Sequence, residues 1–176
     1  IPGRVLAEYQ HLYSVMTAKG ELRAQVSGKF AFTADGRADF PSVGDWVLLQ
    51  EGSEPAIIHK ILDRKNQFSR KAIGQTEEQV IAANVDLLLI VSALNRDFNL
   101  RRLERYLTLG YASGAELMIL LNKSDLCEDL GNVLCQVREL AIDVPVYAIS
   151  ALHQLDLDPL KAQLEPGKTL ALVGSS

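Results

Sequence analysis

The chain has 176 residues, 48% of them hydrophobic and 23% charged, with a formal net charge of -4, a composition able to bury one core or two small ones. No apolar run approaches the roughly 20 residues that a membrane span needs, and the first residues lack the basic start and apolar stretch of a signal peptide, so a cytoplasmic protein without membrane contact is expected. Cys127 and Cys135 are too few for a disulfide framework and match no zinc spacing, and His11, His59 and His153 are far apart; both thiols read as buried, and no metal held by side chains is expected.

From Gly3 to Asp63 short apolar runs alternate with turn formers. Arg4 to Glu8, Leu12 to Met16, Leu22 to Val26, Trp46 to Leu49 and Ile57 to Leu62 read as strands, separated by Lys19-Gly20, Asp35-Gly36, Ser42-Val43-Gly44-Asp45 and Glu51-Gly52-Ser53. Five short strands in so few residues predict a small closed barrel, either the oligonucleotide-binding kind or an SH3-like one. Residues 1–71 carry 10 Lys and Arg against 8 Asp and Glu, whereas the remainder carries 8 against 14. The first part is thus the one able to meet phosphate. Candidate phosphate contacts are Arg4, Lys19, Arg23, Lys29, Arg37, Lys60, Arg64, Lys65, Arg70 and Lys71, with Phe30, Phe32, Trp46 or Phe68 available to stack on bases. A solvated surface and core aromatics are the alternative.

The polar, basic stretch from Asp63 to Lys71 separates two sequence textures, which places a barrel at residues 1–66 and a second domain at 74–176. Beyond it, Val85 to Val91, Leu117 to Leu121, Val144 to Ile149 and Thr169 to Val173 are continuous apolar runs suited to a sheet buried on both faces. Between them Leu100, Leu103, Leu107 and Tyr111 share one helical stripe, as do Leu130, Leu134, Val137 and Leu140. Alternating strands and helices predict a parallel, doubly wound sheet with its ligand crevice beyond the carboxyl ends of the strands.

Asn122-Lys123-Ser124-Asp125 follows the run Leu117 to Leu121 directly and therefore falls at that edge. A turn is one reading, with Asp125 capping a helix from Leu126 to Leu140. The other is guanine recognition. Guanine presents two adjacent donors, N1–H and the 2-amino group, which one carboxylate can accept together, and adenine cannot satisfy that carboxylate. Asn122 would then bond the acceptor edge of the base or brace the loop, and the Lys123 stem would lie along the ring. Ser150-Ala151 after the next strand places backbone N–H groups within reach of the guanine carbonyl. Gly174-Ser175-Ser176 after the last strand reads either as the opening of a phosphate-binding loop or as a flexible tail. Base motifs ahead of the phosphate loop reverse the usual GTPase order, a circular permutation that one shared sheet edge permits.

With these segments the sequence resembles the circularly permuted ribosome-biogenesis GTPases, most closely their small-subunit-dependent branch. The matching segments are Val43 to Val47, Arg64-Lys65, Ser69-Arg70, Ala82 to Asp86, Leu103 to Leu107 and Leu121 to Leu126. The resemblance implies an N-terminal all-β oligonucleotide-binding barrel, then a partial α/β P-loop GTPase domain cut at the start of its phosphate loop. It implies GTP or GDP with Mg²⁺ as ligands, the small ribosomal subunit and its rRNA as partners, a monomeric state, and one zinc ion in a C-terminal domain past Ser176. The site residues that match are Asn122, Lys123, Ser124, Asp125, Ser150, Ala151, Gly174, Ser175 and Ser176. No catalytic residue falls within the chain, so these 176 residues alone are expected to be inactive while the full-length protein hydrolyses GTP. An ATPase and a non-catalytic nucleic-acid-binding protein are the competing functions, and Asp125 argues against adenine.

Overall fold

The computed structural model describes residues 1–10, 12–71, 78–96 and 98–174, with the side chains of Lys71 and Glu78 left aside. The chain divides into two compact units, Ile1–Asn84 and Val85–Ser176. Among the described residues no helix is long and apolar enough to cross a membrane.

In the first unit β1 (Pro2–Glu8), β2 (Tyr13–Thr17), β3 (Gly20–Val26), β4 (Trp46–Gln50) and β5 (Ala56–Ile61) form a closed barrel in the order β1-β2-β3-β5-β4. Period-two alternation drives this: Val5, Val15, Ala24, Val47, Leu49 and Ile58 point inward and are buried, while Leu6, Met16, Trp46 and Leu48 beside them are exposed. Among the described residues of this barrel only β3 and β5 pair in parallel. The connection from β3 to β4 holds α1 (Gly28–Thr33), capped by Ser27, whose hydroxyl accepts from Phe30 N at 3.1 Å. This short helix was not among the expected elements.

The basic stretch after the barrel is no simple linker. Its residues enter β6 (Gln67–Lys71), which pairs antiparallel with β7 (Glu78–Ala83). The hairpin is held to the barrel strands' own loops: Ala83 N donates to Val43 O at 2.9 Å, and the Asn84 amide donates to Gly44 O at 3.0 Å. Gly44 has φ +90°, and a Cβ there would stand 2.2 Å from Ala83 O, so the close approach needs glycine. The hairpin lies within the first compact unit, Ile1–Asn84.

Asp45 and Arg64 pin this region. Asp45 is fully buried. Its Oδ1 accepts from Arg64 Nε at 2.8 Å, and its Oδ2 accepts from Arg64 Nη2 at 2.7 Å and from Ser42 N at 2.8 Å. The same guanidinium donates to Ala38 O, Phe40 O and Gln67 Oε1, which uses its full fork of donors.

In the second unit β8 (Leu87–Ala93), β9 (Glu116–Asn122), β10 (Val146–Ala148) and β11 (Leu170–Gly174) form one parallel sheet in the order β10-β9-β8-β11. Both faces are covered. Ile90, Ile119 and Leu121 pack with Leu103 and Leu107 of α2 (Leu100–Ser113) and with Val137 of α3 (Leu130–Leu140). Leu87, Leu89, Met118 and Leu120 form the other layer, where Leu160 of α4 (Asp158–Lys161) packs against them. Two expectations need correcting. Tyr111 is more exposed than buried, because the inward stripe of α2 turns to Gly110, and its hydroxyl donates to Ile142 O. Cys135 is exposed and Cys127 only half-buried, since the inward side of α3 is set by Val137 and its leucine neighbours.

Candidate functional site

The parallel strands β9 and β10 end side by side, in register from Val146 opposite Ile119 to Ala148 opposite Leu121. The loops that follow therefore leave the sheet at the same edge, where parallel sheets place their ligands. Ile149 N donates to Leu121 O at 2.9 Å and Ser124 N to Ile149 O at 3.0 Å, which carries the ladder into both loops.

Asn122 joins them. Its side-chain oxygen accepts from Lys123 N at 2.8 Å and from Ala151 N at 3.0 Å, so of the two roles expected for it, bracing the loop is the one its geometry displays. Lys123 takes a left-handed conformation, φ 63° and ψ 39°, uncommon for a residue with a long side chain. That turn starts a single 3₁₀ turn, Ser124–Leu126, and aims Asp125 away from the strand. The cap of α3 is Asp129, whose carboxylate accepts from Asn132 N at 3.1 Å. Asp125 is thus relieved of the capping role that a purely structural reading gave it.

The Asp125 carboxylate has two different neighbours, one for each oxygen. Oδ1 accepts from Ser150 Oγ at 2.5 Å, and Oδ2 lies 3.6 Å from His153 Nε2. Ser150 is fully buried and forms an isolated bridge with Leu155, which turns the loop back on itself. His153 N donates to Ser150 Oγ at 3.4 Å. The Ser150 hydroxyl holds the Asp125 carboxyl below its ordinary pKa, against an opposing push from desolvation; the Asp125 backbone, His153 and Lys123 act in the same direction as the serine. The group is therefore a carboxylate, an acceptor only, throughout the neutral range.

Gly174 ends β11 and pairs with Val91 of β8, one of the two inner strands. A Cβ there would stand 2.1 Å from Val91 O, and Tyr106 of α2 donates its hydroxyl to Gly174 O at 3.0 Å. Ser175 and Ser176 lie outside the described residues, so of the expected phosphate-loop opening only Gly174 is placed. Asn122, Lys123, Ser124, Asp125, Ser150 and Ala151 come together as one cluster. A cavity of about 580 Å³ lined by Leu94, Asn95, Arg96, Phe98, Leu126 and Val133, among others, includes none of them.

His153 is the residue that sequence reasoning passed over. Its spacing in sequence suggests no site, and its nearness to Asp125 depends on the turn closed by Ser150 and Leu155. Among the stacking candidates, Phe68 is buried and thereby excluded, whereas Phe32 is 91% exposed and Trp46 44%.

Residues 61–176 match the family model described as RsgA GTPase. A protein of Lactiplantibacillus plantarum described as small ribosomal subunit biogenesis GTPase RsgA 2 is 42% identical over 177 residues, covering 100% of this chain and 50% of that protein. One of Listeria innocua, RsgA 1, is 43% identical, covering 99% of this chain and 49% of that protein. The chain thus spans about half the length of the curated relatives it matches. Among solved structures, YjeQ from Thermotoga maritima superposes with a TM-score of 0.72 at 23% identity, covering 99% of this chain and 60% of that one. YloQ, described as a circularly permuted GTPase, superposes with a TM-score of 0.68 at 23% identity over the same shares. These likenesses extend through barrel and sheet alike, and the chain belongs to the RsgA GTPase family.

Proposed function

We propose that this chain supplies the RNA-binding barrel and the base-recognition half of a circularly permuted P-loop GTPase, the boundary between them falling at Asn84 and Val85. The full-length protein binds GTP and GDP with Mg²⁺ and hydrolyses GTP during late assembly of the small ribosomal subunit, as a cytoplasmic monomer that also carries a zinc-binding helical domain. The observation that carries this reading is the ionised Asp125 carboxylate, presented at the ligand edge of a parallel sheet and braced from the next loop by Ser150. It supplies acceptors alone to a base whose facing edge supplies donors alone. Asn122 locks the two loops into one unit, so the acceptor arrives already oriented. Gly174, where β11 meets the inner strand β8, is the position from which a phosphate loop would start. In the full-length protein, GTP and GDP should displace a fluorescent guanine nucleotide while ATP in large excess does not. Equal displacement by ATP would remove guanine recognition from the proposal.

The barrel's RNA role rests on its Greek-key order and its exposed cations. Barrels of this size bind oligonucleotides along strand faces and loops. Arg23 on β3, Lys29 on α1, Lys60 on β5 and Arg70 on β6 are exposed, whereas Arg64 is consumed by the Asp45 pin. Replacing those four by Gln should flatten the salt dependence of small-subunit binding, by about 0.7 to 0.9 in log–log slope for each lost phosphate contact. Equal slopes for parent and variant would assign these cations to a merely solvated surface.

A further inference from the structure

His153 faces Asp125 across the seam between the two base-recognition loops. Its Nε2 lies 3.6 Å from Asp125 Oδ2, beyond hydrogen-bond length but at ion-pair distance, with 55% of the imidazole and 21% of the carboxylate exposed. Its backbone N–H is fastened to the Ser150 hydroxyl that holds Oδ1. A carboxylate offers about four lone-pair sites. Ser150 takes one on Oδ1, and a bidentate base takes one on each oxygen. An imidazolium at 3.6 Å then acts on Oδ2 through its charge without occupying the place of the base.

We propose that His153 is a positioning residue for base recognition: with Ser150 it brackets the Asp125 carboxylate, one group to each oxygen, and its charge holds that carboxylate aligned for the two guanine donors. This inference rests on the guanine reading of Asp125. The charged group facing the imidazole is Asp125, on which Lys123 of the same loop also acts; Asp156 and Asp158 follow His153 in sequence. The contribution requires the imidazolium form, which lower pH favours, so the effect of replacing His153 should be larger at pH 6 than at pH 8.

The test uses the full-length protein and GDP titrations at pH 6 and pH 8 for the parent, His153→Ala and His153→Lys. Taking the ratio of variant to parent at each pH cancels the titration of the nucleotide phosphates. His153→Ala should weaken binding about threefold at pH 6, within the range for a partly exposed ion pair, and should match the parent at pH 8. His153→Lys, charged at both values, should keep the parent's pH 6 affinity and hold it at pH 8. A merely structural histidine would lose affinity equally at both values in both variants. Ratios independent of pH, or tighter binding by His153→Ala at pH 6, overturn the proposal. Asp125→Asn serves as the control: if it leaves base choice unchanged, the guanine reading fails and takes this inference with it. If base choice shifts while the His153 ratios stay flat, only the role of His153 fails.

Discussion

Asp125→Asn in the full-length protein should weaken GTP binding roughly ten- to a hundredfold and turn preference toward xanthosine nucleotides. The substitution converts one acceptor oxygen into a donor amide. Guanine then loses a bond to a charged group, worth about 1.5–3 kcal/mol, and meets a donor with a donor. Xanthine, with a carbonyl where guanine has its amine, gains a matched pair. The Ser150 hydroxyl can still donate to the remaining oxygen, so the loop should keep its shape. Competition titrations with GTP and XTP on parent and variant read the change directly. Unaltered GTP affinity would show that Asp125 meets no base.

A comparably large effect is expected far from any ligand. Asp45→Ala or Arg64→Ala should each destabilise the chain by about 3–5 kcal/mol, because either leaves a buried charge without its partner. Asp45 has no exposed surface, and Arg64 draws Ala38, Phe40, Asp45 and Gln67 onto one guanidinium. For a unit of this size the loss corresponds to a fall in Tm of roughly 12–40 °C. Trp46, the chain's single tryptophan, adjoins Asp45 and reports the transition by its fluorescence. Arg64→Lys should recover little, since an ammonium cannot reproduce the two-pronged grip. The double replacement should cost clearly less than the two single losses added together. Full additivity would mean that the pair does not act as one.

The same pair marks where sequence reading stops. Alternation placed the barrel strands to within a residue or two, because each has one buried and one wet face and period two records it. The run before Asn122 was equally readable, since a strand covered on both sides must be apolar throughout. Arg64, by contrast, looked like one more cation in a basic stretch. A charge written in sequence does not say whether it is spent, and the acceptors that spend it come from the loop between α1 and β4. The hairpin β6–β7 was hidden for a related reason. Its first strand is polar, and its place is set by backbone bonds to the turn around Gly44 rather than by an apolar pattern. At the candidate site the types and spacing of Asn122, Lys123 and Asp125 were plain, but what brackets the carboxylate was not, because His153 arrives through a turn that its neighbours' side chains do not announce.

The pairing of β8 bears on how the sheet is made. Its partner β9 follows after one helix, whereas β11, on its other edge, is tied to it by bonds such as Thr169 N to the Asp86 carboxylate, across 83 residues. Closing so long a loop costs entropy before any contact repays it, and non-local strand pairs form slowly. During synthesis, one edge of the most apolar strand in the unit therefore waits, unpaired, while α2, β9, α3, β10 and α4 are made. Amides in the β8–β9 ladder should gain protection from hydrogen exchange well before those in the β8–β11 ladder, and the interval between them is when a nascent chain is most exposed to pairing with a neighbour.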